Sequence, residues 1–157
     1  MINTNIKNIV FLIDCSKSMQ DELEIIAVKL MKLQKEGKEA INIDYYIYGE
    51  ACMKLDRLDD LQKSIHKVGN GSRTLSAIMY CIKNYKKGIR LVLITNSFPT
   101  DFISLFVVKR LLLNLQVFLF VINLNLEVPL SLHYLSDTVV SYRKTIDIDF
   151  IQIVQDI

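Results

Sequence analysis

The run Ile9-Val10-Phe11-Leu12-Ile13 ends abruptly at Asp14, and Ser16 and Ser18 follow at alternate positions. A short apolar run rich in β-branched and aromatic residues suits a strand buried on both faces of a parallel sheet. A polar cluster that begins where such a strand stops lies at the carboxyl end of the sheet, where open α/β folds place their ligands. Asp14, Ser16 and Ser18 supply one carboxylate and two hydroxyls, all hard oxygen. Hard oxygen suits Mg²⁺, Mn²⁺ or Ca²⁺ better than zinc or copper.

The 157 residues fit one domain with room for a sizeable core. With 51% hydrophobic and 23% charged residues, the composition is that of a globular protein. A net charge of +2 gives no electrostatic case for nucleic acid or an anionic membrane, and neither is expected as a partner. The longest strongly apolar stretch, Val117 to Ile122, falls far short of the roughly 20 residues that span a bilayer. Met1-Ile2-Asn3-Thr4-Asn5 lacks the charge-then-apolar plan of a signal peptide, so a cytoplasmic location is expected. Cys15, Cys52 and Cys81 form no CxxC spacing, which argues against a disulfide framework or a zinc site. Cys52 and Cys81 read as packing residues, and Cys15, inside the polar loop, would need a partner base to act as a nucleophile.

The rest of the chain alternates helical and extended patterns without repeat, linker or low-complexity segment. Leu23, Ile26, Ala27, Leu30, Met31 and Leu33 predict a helix over 21–35, closed near Gly37 with Lys35 and Lys38 at its negative end. Ile41 to Tyr48 alternates as a strand, and Gly49-Glu50 turns it into a companion strand over 51–55, a hairpin at one sheet edge. Short helices are expected over 59–67 and, after a glycine loop, over 75–85. A buried strand over 89–95 precedes a helix over 102–113, and a third buried strand covers 117–122. Pro129 opens a helical turn over 130–135, Thr138 to Ser141 forms an edge strand, and 147–154 closes the chain as a helix. This order predicts a doubly wound α/β sandwich: a mostly parallel six-stranded sheet, one antiparallel edge strand, and helices on both faces.

Two further loops fall at the same sheet end. Gly69-Asn70-Gly71-Ser72-Arg73-Thr74 opens a helix; its glycines let backbone approach a ligand, and Thr74 stands where an N-cap belongs. No Gly-Lys-Ser/Thr follows, so it is not a Walker loop. The strand over 89–95 runs into Asn96-Ser97-Phe98-Pro99-Thr100-Asp101. Together, Asp14-x-Ser16-x-Ser18-Met19, the Gly-rich loop with Thr74, and the Pro99-Thr100-Asp101 ending resemble the three site loops of von Willebrand factor type A (vWA) domains. The resemblance covers the whole chain in element order.

That resemblance implies a Rossmann-like vWA sandwich and a metal-ion-dependent adhesion site. Ser16, Ser18 and Thr74 would contact a Mg²⁺ (or Mn²⁺ or Ca²⁺) directly, with Asp14 and Asn96 acting through water. The departure is Thr95-Asn96-Ser97 where the family pattern reads Thr-Asp-Gly, so Asn96 stands in the acidic position. The implied activity is non-enzymatic: binding another protein whose Asp or Glu completes the coordination of the ion. The nearest kind implied is the stand-alone intracellular TerY-like protein of bacterial tellurium-resistance systems, with a stress-response or defence role. A metal-free adaptor that lost the ion through Asn96 is the alternative. A phosphoryl-transfer enzyme on Asp14 would want a second acidic residue where Ser16 stands.

Overall fold

The computed structural model describes residues 7–37 and 41–157. The expectations placed on Met1 to Asn5 and on Lys38 lie outside those residues. In chain order the elements are β1 (Lys7–Asp14), α1 (Gln20–Glu36), β2 (Ile41–Tyr48), β3 (Cys52–Leu55), α2 (Leu61–Val68) and α3 (Thr74–Ile82), then β4 (Arg90–Thr95), α4 (Leu105–Asn114), β5 (Phe118–Asn123), α5 (Leu130–Leu135), β6 (Thr138–Ser141) and α6 (Phe150–Asp156). Short 3₁₀ turns precede α1, α2 and α6.

One six-stranded sheet in the order β3-β2-β1-β4-β5-β6 carries them. Every neighbouring pair is parallel except β2 with β3, which is the predicted edge hairpin. Alternate residues of β1 feed two different cores, as a strand covered on both sides must. Ile9, Phe11 and Ile13 pack with α1, α2 and α6, whereas Val10 and Leu12 pack with α3, α4 and α5. The chain adds β2 and β3 on one side of β1, then crosses over to add β4, β5 and β6 on the other. The crevice between the carboxyl ends of β1 and β4 is therefore the point where the winding reverses.

Several boundaries differ from the sequence pattern. β2 alternates in sequence yet is buried on both faces at its end: Tyr45 and Ile47 on one, Tyr46 and Tyr48 on the other, which α3 covers. α3 stops at Ile82, three residues early: Asn84 and Tyr85 N–H turn back to the Cys81 and Ile82 carbonyls, and the Tyr85 hydroxyl donates to Asp44 at 2.6 Å. α4 begins at Leu105 rather than Phe102, since Thr100 N–H is held by the Ser72 carbonyl at 2.9 Å and Asp101 is engaged at the start of α3. The closing helix starts at Phe150, because Asp149 is its N-cap and accepts from Gln152 N–H at 3.1 Å.

The turn after β2 sets the height of the glycine loop. Glu50 and Ala51 N–H both donate to the Val68 carbonyl, at 2.7 and 3.0 Å, and Arg73 N–H donates to the Gly49 carbonyl at 2.9 Å. Backbone passes so closely that a Cβ on Gly49 would lie 2.1 Å from the Gly69 carbonyl oxygen, and Gly69 itself has φ +78°. Gly49→Ala must push the two turns apart. Overpacking of this kind costs about 1–3 kcal/mol, and a backbone obstacle puts this case at the upper end. Urea unfolding should show a lower midpoint with an unchanged slope; an unchanged midpoint would contradict this packing.

Candidate functional site at the sheet switch point

β1 delivers Asp14 as its last residue, fully buried, opposite Tyr48 of β2. A carboxyl group out of water needs donors to offset its lost hydration. Three segments provide them: Ser16 N–H at 2.8 Å to Oδ1, and the Thr95 hydroxyl at 2.6 Å and the Ser72 hydroxyl at 3.3 Å to Oδ2. Thr95 in turn accepts Ser97 N–H at 3.0 Å. The Ser72 and Thr74 hydroxyls lie 3.3 Å apart, and Tyr48 meets Thr74 at 3.0 Å. Burial first, and the Asp14 carboxyl second, hold the Tyr48 phenol well above its ordinary pKa, so it remains protonated.

Above this buried circuit sits a second, more open one. The Ser16 hydroxyl lies 3.2 Å from Ser18 Oγ and 3.0 Å from Ser97 Oγ. Ser18 Oγ and Ser97 Oγ are 3.0 Å apart, and both reach Asn96 Oδ1, at 2.8 and 3.1 Å. Asn96 is itself fixed: its Nδ2 donates to the Ser18 carbonyl at 2.9 Å, and its own carbonyl accepts from Asn125 Nδ2 at 2.9 Å. The loops after β1, β4 and β5 thus meet at one point.

Of the five residues singled out in the sequence, Ser16, Ser18 and Asn96 converge in the open circuit and Asp14 lies directly beneath. Thr74 is drawn elsewhere. It is the first residue of α3 rather than its cap, fully buried, with its hydroxyl committed to Tyr48 and Ser72. The cap comes instead from Asp101, whose carboxylate accepts Leu75 N–H at 3.2 Å and Ser76 N–H at 2.6 Å. An acidic group at a helix N-terminus satisfies free donors and complements the dipole.

Ser97, Thr95, Ser72 and Tyr48 were not singled out. The available signal for Ser97 was a hydroxyl standing where the family pattern has glycine. Cys15 is buried, and burial, with the Asp14 carboxyl behind it, pushes its thiol far above the ordinary range, so it stays protonated and a poor nucleophile.

The donor set of the open circuit is neutral hard oxygen, with one carboxyl group behind it. That chemistry suits a divalent cation of the Mg²⁺ or Mn²⁺ kind in Ser16, Ser18 and Asn96. Among the described residues no three His, Cys, Asp or Glu side chains gather at a common point, so an ion here would rest on hydroxyl and amide oxygen.

No protein-family model and no curated protein matches the sequence. Solved structures do match in fold. A von Willebrand factor type A protein from Catenulispora acidiphila superposes with TM-score 0.68 at 12% identity, covering 88% of this chain and 39% of that one. Proximal thread matrix protein 1 (PTMP1) from the mussel byssus gives 0.64 at 13%, covering 96% and 44%. The ArnB paralog VWA2 from Sulfolobus acidocaldarius gives 0.53 at 17%, covering 76% and 35%. The chain therefore has the vWA fold, and it spans less than half the length of each of those chains.

The Asp101 cap generates a test that separates helix support from ion binding. Asp101→Ala should cost about 1 kcal/mol, as cap removal typically does, and by the same amount in EDTA and in MgCl₂. A loss seen only in MgCl₂ would place Asp101 at the ion instead.

Proposed function

We propose that this domain is a non-enzymatic protein-interaction module that binds its partner over the carboxyl end of the sheet, through a divalent cation held by Ser16, Ser18 and Asn96 with Asp14 behind them. The observation that carries this reading is the meeting of those oxygens, from loops far apart in sequence, at the exposed switch point of the sheet. When bound, the cation supplies an open coordination position for a carboxylate, so the partner contributes an Asp or Glu. The chain's own part is to hold the hydroxyls at fixed separation and to keep charge away from them. With no carboxylate in the open circuit, the ion keeps most of its charge for the partner.

The surroundings support a protein partner. Phe98 and Phe102 follow Asn96 on the loop after β4, and Leu126 follows Asn125 on the loop after β5; all three are exposed. Phe102 lines a cleft of about 440 Å³ together with Glu50, Arg73 and Asp101 among others. Exposed apolar side chains on the loops that carry a polar site are features of a surface that docks another protein. Pro99-Thr100-Asp101 supports placing the module with TerY-like stand-alone proteins of bacterial stress-response or defence systems, acting in the cytoplasm. Among the described residues no helix is long and apolar enough to cross a membrane.

Asn96 favours a second reading, a metal-free adaptor of the same fold. A neutral amide attracts an ion less than a carboxylate, and this one is already held by Ser18. Thermal unfolding decides between them. Ion at a hundred times its dissociation constant should stabilise the fold by about 2.7 kcal/mol, a rise of roughly 2–4 °C per kcal/mol for a domain of this size. Ser16→Ala should abolish that rise. No rise over EDTA with MgCl₂, MnCl₂ or CaCl₂ would overturn the cation and leave the metal-free adaptor.

A further inference from the structure

The two hydrogen-bond circuits differ in a countable way. A serine or threonine hydroxyl, like a phenol, carries one proton to donate. In the buried circuit the protons suffice: Thr95 and Ser72 donate to Asp14, Tyr48 can donate to Thr74, and Thr74 can donate to Ser72. Every oxygen there has a partner, and nothing is short.

The open circuit does not close. Its oxygens make five close approaches: Ser16 to Ser18, Ser16 to Ser97, Ser18 to Ser97, Ser18 to Asn96 and Ser97 to Asn96, all between 2.8 and 3.2 Å. Only the three serine hydroxyls bring protons. The Asn96 amide cannot be turned to help, because its Oδ1 would then face the Ser18 carbonyl at the 2.9 Å now spanned by an N–H donor. Two approaches are therefore oxygen against oxygen with no proton between them, unless protons are shared in weaker three-centre bonds. Lone pairs at about 3.0 Å repel in the absence of a positive charge. Around a cation with ligands at 2.0–2.1 Å in octahedral array, neighbouring oxygens stand about 3.0 Å apart, so the same spacing becomes favourable.

We infer that Ser97, not Thr74, is the third hydroxyl of the divalent-cation site, giving a ligand set of Ser16, Ser18, Ser97 and the Asn96 amide oxygen. The inference rests on the cation reading proposed above and deepens it by naming the ligands. It explains Asn96 and Ser97 together. The amide locks to Ser18 and aims its oxygen at the serines, and the added hydroxyl occupies the place that Thr74 vacates by bonding to Tyr48. The set carries no net charge, so the site selects a hard cation that arrives with, or waits for, an anionic partner group.

Removing Ser97 makes the test sharp. Without its hydroxyl, Ser16 to Ser18 and Ser18 to Asn96 remain, and the Ser16 and Ser18 protons match them one for one. The experiment is calorimetric titration of the whole chain with MnCl₂, alongside thermal unfolding in EDTA, for the native protein, Ser97→Ala, Ser97→Thr, Thr74→Val and Ser16→Ala. Ser97→Ala should bind Mn²⁺ at least tenfold more weakly while melting in EDTA no lower than the native chain. Ser97→Thr should keep its affinity within about threefold, and so should Thr74→Val. If Ser16→Ala abolishes binding while Ser97→Ala leaves it unchanged, the cation reading stands and this ligand assignment is wrong. An equal loss in Thr74→Val and Ser97→Ala would overturn the exclusion of Thr74. If the native chain takes up no Mn²⁺, the cation reading and this ligand assignment fall together and the metal-free adaptor remains.

Discussion

Asp14 is the residue to which the functional end of the molecule is tied. It is the last residue of the central strand, out of contact with water, and its two carboxyl oxygens accept from Ser16 N–H, Ser72 and Thr95. Those donors sit on the loop after β1, the glycine loop and the end of β4, segments far apart in sequence. Leaving any one unmade would strand a buried polar group, at a cost of about 1–3 kcal/mol, so each segment is fixed in height relative to the others. The serines and Asn96 above inherit that fixity. Ser16 and Ser97 are held from beneath through their N–H groups, and Asn96 is held from the side by the Ser18 carbonyl and Asn125.

This arrangement depends on the topology as much as on the residue. β1 lies at the centre of the sheet with β2 on one side and β4 on the other, so the crossover leaves a crevice directly over Asp14. The hairpin turn at Gly49 and the glycine loop after α2 interlock backbone to backbone on one flank. On the other flank, Asn125 reaches over from the loop after β5 to hold the Asn96 carbonyl. Asp101 uses its charge on the α3 terminus rather than at the serines. The open circuit thereby stays neutral on a braced base.

Much of this was legible in the chain because apolar runs and their terminators are strong signals. The buried strand that ends at Asp14, the strand over 89–95, the edge hairpin and a mostly parallel six-stranded sheet follow from run length, alternation and glycine placement, whereas the strand order is seen only in the structure. Helix starts were harder to place. Phe102 carries an apolar side chain in helical register, but Asp101 is pulled to α3 and delays α4 to Leu105. No periodicity encodes that long-range bond. The site loops were legible, and the structure brings Ser16, Ser18 and Asn96 together over Asp14. Thr74 matched a motif, yet Tyr48, distant in sequence, takes its hydroxyl. Ser97 matched none, because a hydroxyl that replaces glycine is read as a loss of pattern until its neighbours are seen.

The central claim is that the oxygens of Ser16, Ser18, Ser97 and Asn96 at the switch point hold a divalent cation. It is tested most directly by an anomalous difference map from crystals grown with MnCl₂, recorded near the manganese edge. The account predicts one peak over the crevice, about 2.1–2.3 Å from Ser16, Ser18 and Ser97 Oγ, with Thr74 outside bonding distance. A map with no peak there, or a peak bonded to Thr74 and remote from Ser97, would contradict it.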